Sequence, residues 1–199
     1  MGKPERDAAT VIADAEAMLR TARLGLKDFK GADMERRLPG LSNAVVFGRA
    51  VTNVIENLRS RVDSFAEWYR PRSAALGKDA TFKRLYQMRS EILKQGSSGV
   101  STKVIVESFD SRDLAPLMAS PPPGATRFFM FDQTGGSGWE VELPTGYTVR
   151  YYVALPDSVK ASSSLTLRLG DEDIDAAPVL ERYLEAMERI VSDAKSKFL

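Results

Sequence analysis

Near residue 96 the apolar residues of this 199-residue chain change their spacing, and that change limits the folds open to it more than any other feature. Up to that point they recur every three or four positions, the period of an amphipathic helix. Beyond it they alternate, the period of a strand with one face covered. A chain with helices first, strands next and a helical period again at its end predicts an α+β fold.

In the first segment Ala8, Val11, Ile12, Ala15, Met18, Leu19, Ala22, Leu26 and Phe29 mark one face of a helix from Pro4 to about Lys30. Pro4 is tolerated in its first turn, Glu5 and Asp7 suit the positive end of its dipole, and Gly31 is a stop. After the charged link Met34-Glu35-Arg36-Arg37, Pro39-Gly40 reads as a break. A second helix is expected from Ser42, a good N-cap, to about Val62, with a broad apolar face that makes it the most buried of the set. Asp63 or Ser64 would then cap a short turn carrying Phe65, Trp68 and Tyr69. Pro71 disfavours helix at Arg70, and Gly77-Lys78-Asp79 punctuates again. A third long helix is expected from Ala80 to Lys94, followed by the flexible joint Gly96-Ser97-Ser98-Gly99.

The alternating segments are Lys103–Phe109, Thr126–Phe131, Gly138–Leu143 and Tyr147–Ala154, with a short strand over Ser164–Leu169. A helical turn is expected over Leu114–Met118, before the corner Pro121-Pro122-Pro123-Gly124. The loops 132–137 and 144–146 carry turn residues, as in an antiparallel meander. Asp175 caps a final helix to Phe198, long enough to lie across the sheet or to return to the helices. The expected organisation is a helical bundle over 1–96, a small antiparallel sheet over 97–174 and a closing helix over 175–199.

Two absences narrow the chemistry. The chain has no cysteine, which excludes disulfides, thiolate nucleophiles and thiolate-bound zinc or iron–sulfur centres. It has no histidine either, so the usual general base near neutral pH and the commonest transition-metal ligand are missing. Carboxylate, lysine, tyrosine or arginine chemistry remains, or none. No metal and no cofactor is expected. With 28 basic and 27 acidic residues, the net charge of +1 provides no global field for nucleic acid, though a local patch is compatible with it. No apolar run is long enough to span a bilayer and the N-terminus lacks a secretory signal, so the expected setting is cytoplasmic, away from membranes.

Three features of the first half carry a resemblance. Arg49 is embedded in the apolar helix Leu41–Thr52, the pair Trp68-Tyr69 precedes Pro71, and Arg89-Ser90-Glu91-Ile92-Leu93-Lys94 lies late in a helix. Together they resemble the core of HEPN-type helical bundles. The resemblance implies a dimer of bundles in which an Arg, the polar residue after it and a His a few residues later act on RNA. Arg89 matches that Arg, Ser90 replaces the usual Asn, and Lys94 stands where the His would be. A lysine acts as a base only when burial or a nearby cation lowers its pKa by several units. Glu91, three residues before Lys94, would act against that.

The candidate catalytic residues are therefore Arg89, Ser90 and Lys94, and the candidate binding or interface residues are Arg49, Trp68, Tyr69, Tyr86 and Arg89. Each has a plainer structural reading. Lys94 is a surface or phosphate-contacting lysine; Arg89 and Arg49 pair with carboxylates of other helices or join in one polar patch; Trp68 and Tyr69 pack in the core. The glycine-rich loop 132–138 lacks the Lys-Ser/Thr of a phosphate loop and reads as a hairpin turn. Asp171-Glu172-Asp173-Ile174-Asp175 fails the calcium-loop pattern and reads as the approach to a helix N-terminus. Tyr147, Tyr151, Tyr152, Phe129, Phe131 and Trp139, with Arg127 and Arg150, give the sheet an aromatic face for packing or for docking a partner.

Three functions are compatible with this reading. The first is a degenerate, non-catalytic HEPN-like binding protein, a homodimer in a bacterial defence or toxin–antitoxin setting, with RNA or a protein as partner. The second is a metal-independent ribonuclease using Arg89 and Lys94. The third is a structural subunit docked through its aromatic sheet.

Overall fold

The computed structural model describes residues 7–97 and 99–199 and is α+β, with two small antiparallel sheets and a long C-terminal helix. The chain divides into two compact units: Val100–Arg168 forms one, and the segments on either side of it form the other.

The helical unit begins with α1 (Ala8–Lys30), capped by Asp7, whose carboxylate accepts the Thr10 N–H at 2.7 Å. The expected start at Pro4, with Glu5, lies outside the described residues, as does Ser98 of the joint. A three-residue link leads to α2 (Met34–Ile55), capped by Asp33. Pro39-Gly40 is thus no break; the helix runs through both and ends in a 3-10 turn over Glu56–Ser60, short of the expected Val62. The reason lies in packing. A Cβ on Gly40 would stand 2.5 Å from the Phe29 backbone N and 2.6 Å from the Gly25 O, and one on Gly25 would meet the Gly40 O at 2.7 Å. Two glycines let α1 and α2 touch backbone to backbone. The apolar faces then bury Ile12, Ala15, Ala22, Phe29, Leu41 and Val45 almost fully. A proline inside a helix costs about 3 kcal/mol, whereas each large apolar side chain taken from water returns about 1.5–3 kcal/mol.

Helix α3 (Phe65–Lys78) passes through Pro71 and Gly77 although a short turn was expected. Its buried residues, Phe65 and Tyr69, both lie ahead of the proline. α4 (Ala80–Gln95) is capped by Asp79 and ends at Gly96, which takes a left-handed φ of 67° that a side chain would oppose. The final helix, α6 (Ala176–Phe198), packs on α1 and α2. Its direction is opposite to that of α1: Glu16 near the start of α1 pairs with Lys195 at 2.8 Å, and Lys30 at the end of α1 pairs with Glu181. Leu180, Leu184, Met187 and Ala194 complete the core.

In the second unit β1 (Val100–Ser108) pairs with β5 (Lys160–Leu169), and a meander joins β2 (Ala125–Phe129), β3 (Gly138–Glu142) and β4 (Thr148–Tyr152). A 3-10 turn and α5 (Ala115–Ala119) lie between β1 and β2. The expected single sheet is therefore two, and the short strand at Ser164 begins four residues earlier. The acidic run before α6 is itself a strand, β6 (Glu172–Asp175), third in the order β1-β5-β6. Asp175 still caps α6, accepting the Ala177 N–H at 3.0 Å.

Candidate functional site

Four helices of the first unit surround a cleft of about 320 Å³. Arg49 and Thr52 on α2 stand one turn apart, and Glu56 follows in the 3-10 turn that ends it. Tyr69 and Ser73 on α3, and Phe82 and Tyr86 on α4, are each four apart, as are Tyr183 and Met187 on α6. Helical spacing alone thus places every one of these side chains on the inner wall.

Tyr183 lies deep in the wall, 5% exposed. Its ring packs edge-on to Phe82 at 5.4 Å and lies over Gly48, where a Cβ would come within 2.6 Å of it. Glycine is therefore required at that point of α2 for α6 to approach. The Tyr183 hydroxyl takes no hydrogen bond from the described residues, and burial pushes its pKa far up, against the pull of Arg49 and Arg89. It stays protonated and is a donor. Burial also raises the pKa of Tyr69, aided by Glu56 and opposed by Arg49 and Arg59 and by a hydrogen bond with Thr52.

Arg49 lies with its guanidinium 4.9 Å from the centre of the Tyr86 ring, a cation–π distance, and donates to the Thr52 hydroxyl. Thr52 in turn donates to the Arg49 carbonyl at 3.0 Å. No carboxylate of the described residues pairs with Arg49, and none pairs with Arg89. Both are half-buried. That sets them apart from Arg72, held by Asp193 at 2.9 Å, and Arg84, held by Glu91 at 2.8 Å. Half-buried arginine normally finds an acid, because a guanidinium withdrawn from water without one loses solvation.

The other candidates are placed as follows. Tyr69 and Tyr86 line the cleft with Arg49; Arg89 is not on its wall but acts electrostatically on the Tyr183 hydroxyl. Trp68 stands apart from it, stacked under Arg72 at 4.4 Å and edge-on to Phe198 at 5.1 Å. Ser90 is half-buried. Lys94 is exposed in the last turn of α4, and Glu91 is engaged by Arg84 through both carboxylate oxygens. Five helical positions separate Arg89 from Lys94, which turns them about 140° apart around the axis. Thr52, Phe82, Tyr183 and Met187 were not singled out from sequence. A tyrosine at a core position of an otherwise apolar helix face was the available signal, since its hydroxyl needs a destination.

The loop after β2 holds the second unit's most organised polar group. Asp132 accepts the Thr134 N–H at 2.9 Å, the Thr134 hydroxyl at 2.6 Å, the Gly136 N–H at 3.2 Å and the Tyr152 hydroxyl at 2.8 Å, and pairs with Arg150. Burial pushes its pKa up, but these bonds from Thr134, Tyr152 and Gly136 outweigh it and hold the carboxyl below its usual range. Every lone pair is engaged, so the loop is a structural turn with no capacity left for a ligand. Among the described residues no acidic cluster is arranged to hold a metal ion, and no helix is long and apolar enough to cross a membrane.

No protein-family model matches the chain, and no curated protein or solved structure does.

Proposed function

We propose that the helical unit is a non-catalytic binding module, HEPN-like in descent, that works as a homodimer in a bacterial defence or toxin–antitoxin setting and engages RNA or a protein partner. The observation that carries this reading is the separation of Arg89 from Lys94. Cleavage of RNA through its own 2′-hydroxyl needs a base and a cation on the same phosphate. Lys94 is solvated at the end of α4 and faces away from Arg89, whose field falls on Tyr183. What the helices do hold in place is a cleft with unpaired cations on and beside it, which suits binding.

Labelled single-stranded RNA incubated with the protein in EDTA, with solution mass read by light scattering on the same sample, tests this. The expected result is a dimer that leaves the RNA intact. Cleavage that disappears in Arg89→Ala would overturn the reading in favour of a histidine-free ribonuclease.

A second reading, a subunit docked through its sheet, is favoured by one observation. Tyr147, Val149 and Tyr151 alternate along β4 and its approach, so they share one face, and all three are exposed, Tyr147 by 74%. A row of aromatic side chains left in water marks a surface that another protein covers.

A further inference from the structure

The arginines of the helical unit differ in what holds them. On the helical unit Arg23, Arg36, Arg72, Arg84 and Arg182 each hold a carboxylate. The half-buried Arg49 and Arg89 hold none, and the Tyr183 hydroxyl on the cleft wall makes no hydrogen bond with the described residues. Arg49 and the Tyr183 phenol thus line one cleft as donors, with Glu56 the carboxylate of its lining. Thr52 uses only part of the donor set of Arg49, and the rest of the fork is free for the planar, two-pronged contact that guanidinium makes with an oxyanion.

We propose that this cleft binds a small flat-ringed molecule bearing a single oxyanion, its phosphate or carboxylate held by Arg49 and Tyr183 and its ring lying along Tyr86 and Phe82. The proposal rests on the reading of the helical unit as a binding module and names what its cleft takes. Arg89 contributes field at the anion without touching it, and Lys83, on the wall beside Phe82, adds charge at the rim. Glu56 is the acidic residue of the lining and offers an acceptor for a ring N–H. The cleft's size is at the lower end of that for small-molecule sites, enough for a mononucleotide and too small for a folded partner. The apolar wall supplies burial and the donors supply orientation, the usual division in such pockets.

Titration calorimetry of the full chain with three probes separates the sources: adenosine monophosphate, indole-3-acetate and inorganic phosphate. Binding of either aromatic anion, at least tenfold tighter than inorganic phosphate, is expected; which of the two is tighter identifies phosphate or carboxylate as the preferred head group. Arg49→Gln should weaken it at least tenfold. Tyr183→Phe keeps the ring against Gly48 and Phe82 and removes only the donor, so it should weaken binding severalfold with an unchanged Tm. Arg20→Gln, an exposed arginine on α1 away from the cleft, should leave affinity as it was. No heat with any probe overturns the proposal, as does full affinity in Tyr183→Phe and Arg49→Gln. Binding of an RNA oligomer with no binding of the monophosphate also overturns it, in favour of a macromolecular ligand. The nuclease assay on the same preparations is separate: intact RNA with no anion bound leaves the binding-module reading standing and removes this one.

Discussion

Arg49 and Asp132 show opposite ways of placing a charge part-way out of water. Asp132 is surrounded by donors that its loop brings to it, so ionisation stabilises the fold. Its carboxyl titrates lower in the folded chain than in the unfolded one. The stabilisation is therefore fully present above the ordinary carboxylate range and is lost as the pH falls through the lowered value. Asp132→Asn should cost about 1–3 kcal/mol at pH 7, the penalty for unsettling a buried polar group. Urea titrations should show that gap closing as the pH is taken below about 4; a gap of constant size would mean the carboxylate's charge contributes nothing. Arg49 has no such complement, and its neighbours Tyr86 and Thr52 only steady it. In the sequence Arg49, Tyr69 and Tyr86 were legible as candidates because a cation and two phenols interrupt apolar stripes. Tyr183 was not, since it fits the spacing of the last helix and nothing local shows what faces it. Nor was the engagement of Glu91 by Arg84, seven residues earlier on the same helix, which removes it as a neighbour for Lys94.

At the scale of elements, the helical and extended periods were readable, and so was the change between them. The boundaries set by proline and glycine were not. Pro39 and Pro71 are breakers by local preference, yet both lie inside helices, and after Pro39 the buried face of α2 outweighs the local cost. The glycine beside Pro39 looked like part of a turn, and its reason is a neighbour on another helix. Gly25→Ala or Gly40→Ala should each destabilise the helical unit by about 1–3 kcal/mol, the range for overpacking a well-filled interface. Thermal unfolding checks it, and an unchanged Tm in both would show that α1 and α2 can separate at the crossing at no cost. The count of sheets was beyond reach as well. Alternation identifies strands but carries no information on which strand pairs with which, and β1 finds its partner some sixty positions on, at β5.

For the whole molecule, the α+β class was legible and the division into units was only partly so. The sequence suggested three consecutive segments, with the last helix open to the sheet or to the helices; it groups with the first four. Surface chemistry at this scale is testable without knowing a partner. Tyr147→Ser with Tyr151→Ser removes the exposed aromatic row from β4 and should change stability by less than about 0.5 kcal/mol, since neither ring is covered. If the docking reading holds, self-association or partner capture seen with the native chain is lost in the double variant; retained association would place the contact elsewhere.

The return of α6 has a consequence for how the protein is made. A ribosome that has released Ala8 to Gln95 has produced four helices whose shared interior still lacks Leu180, Leu184 and Met187. The intervening unit must be synthesised before those residues arrive, so the helical core closes late, by a contact between distant parts of the chain. Tyr183 arrives on that same helix. A nascent or truncated chain therefore carries Arg49 without the Tyr183 hydroxyl that shares its cleft, and the proposed anion site comes into being in the same step that completes the fold.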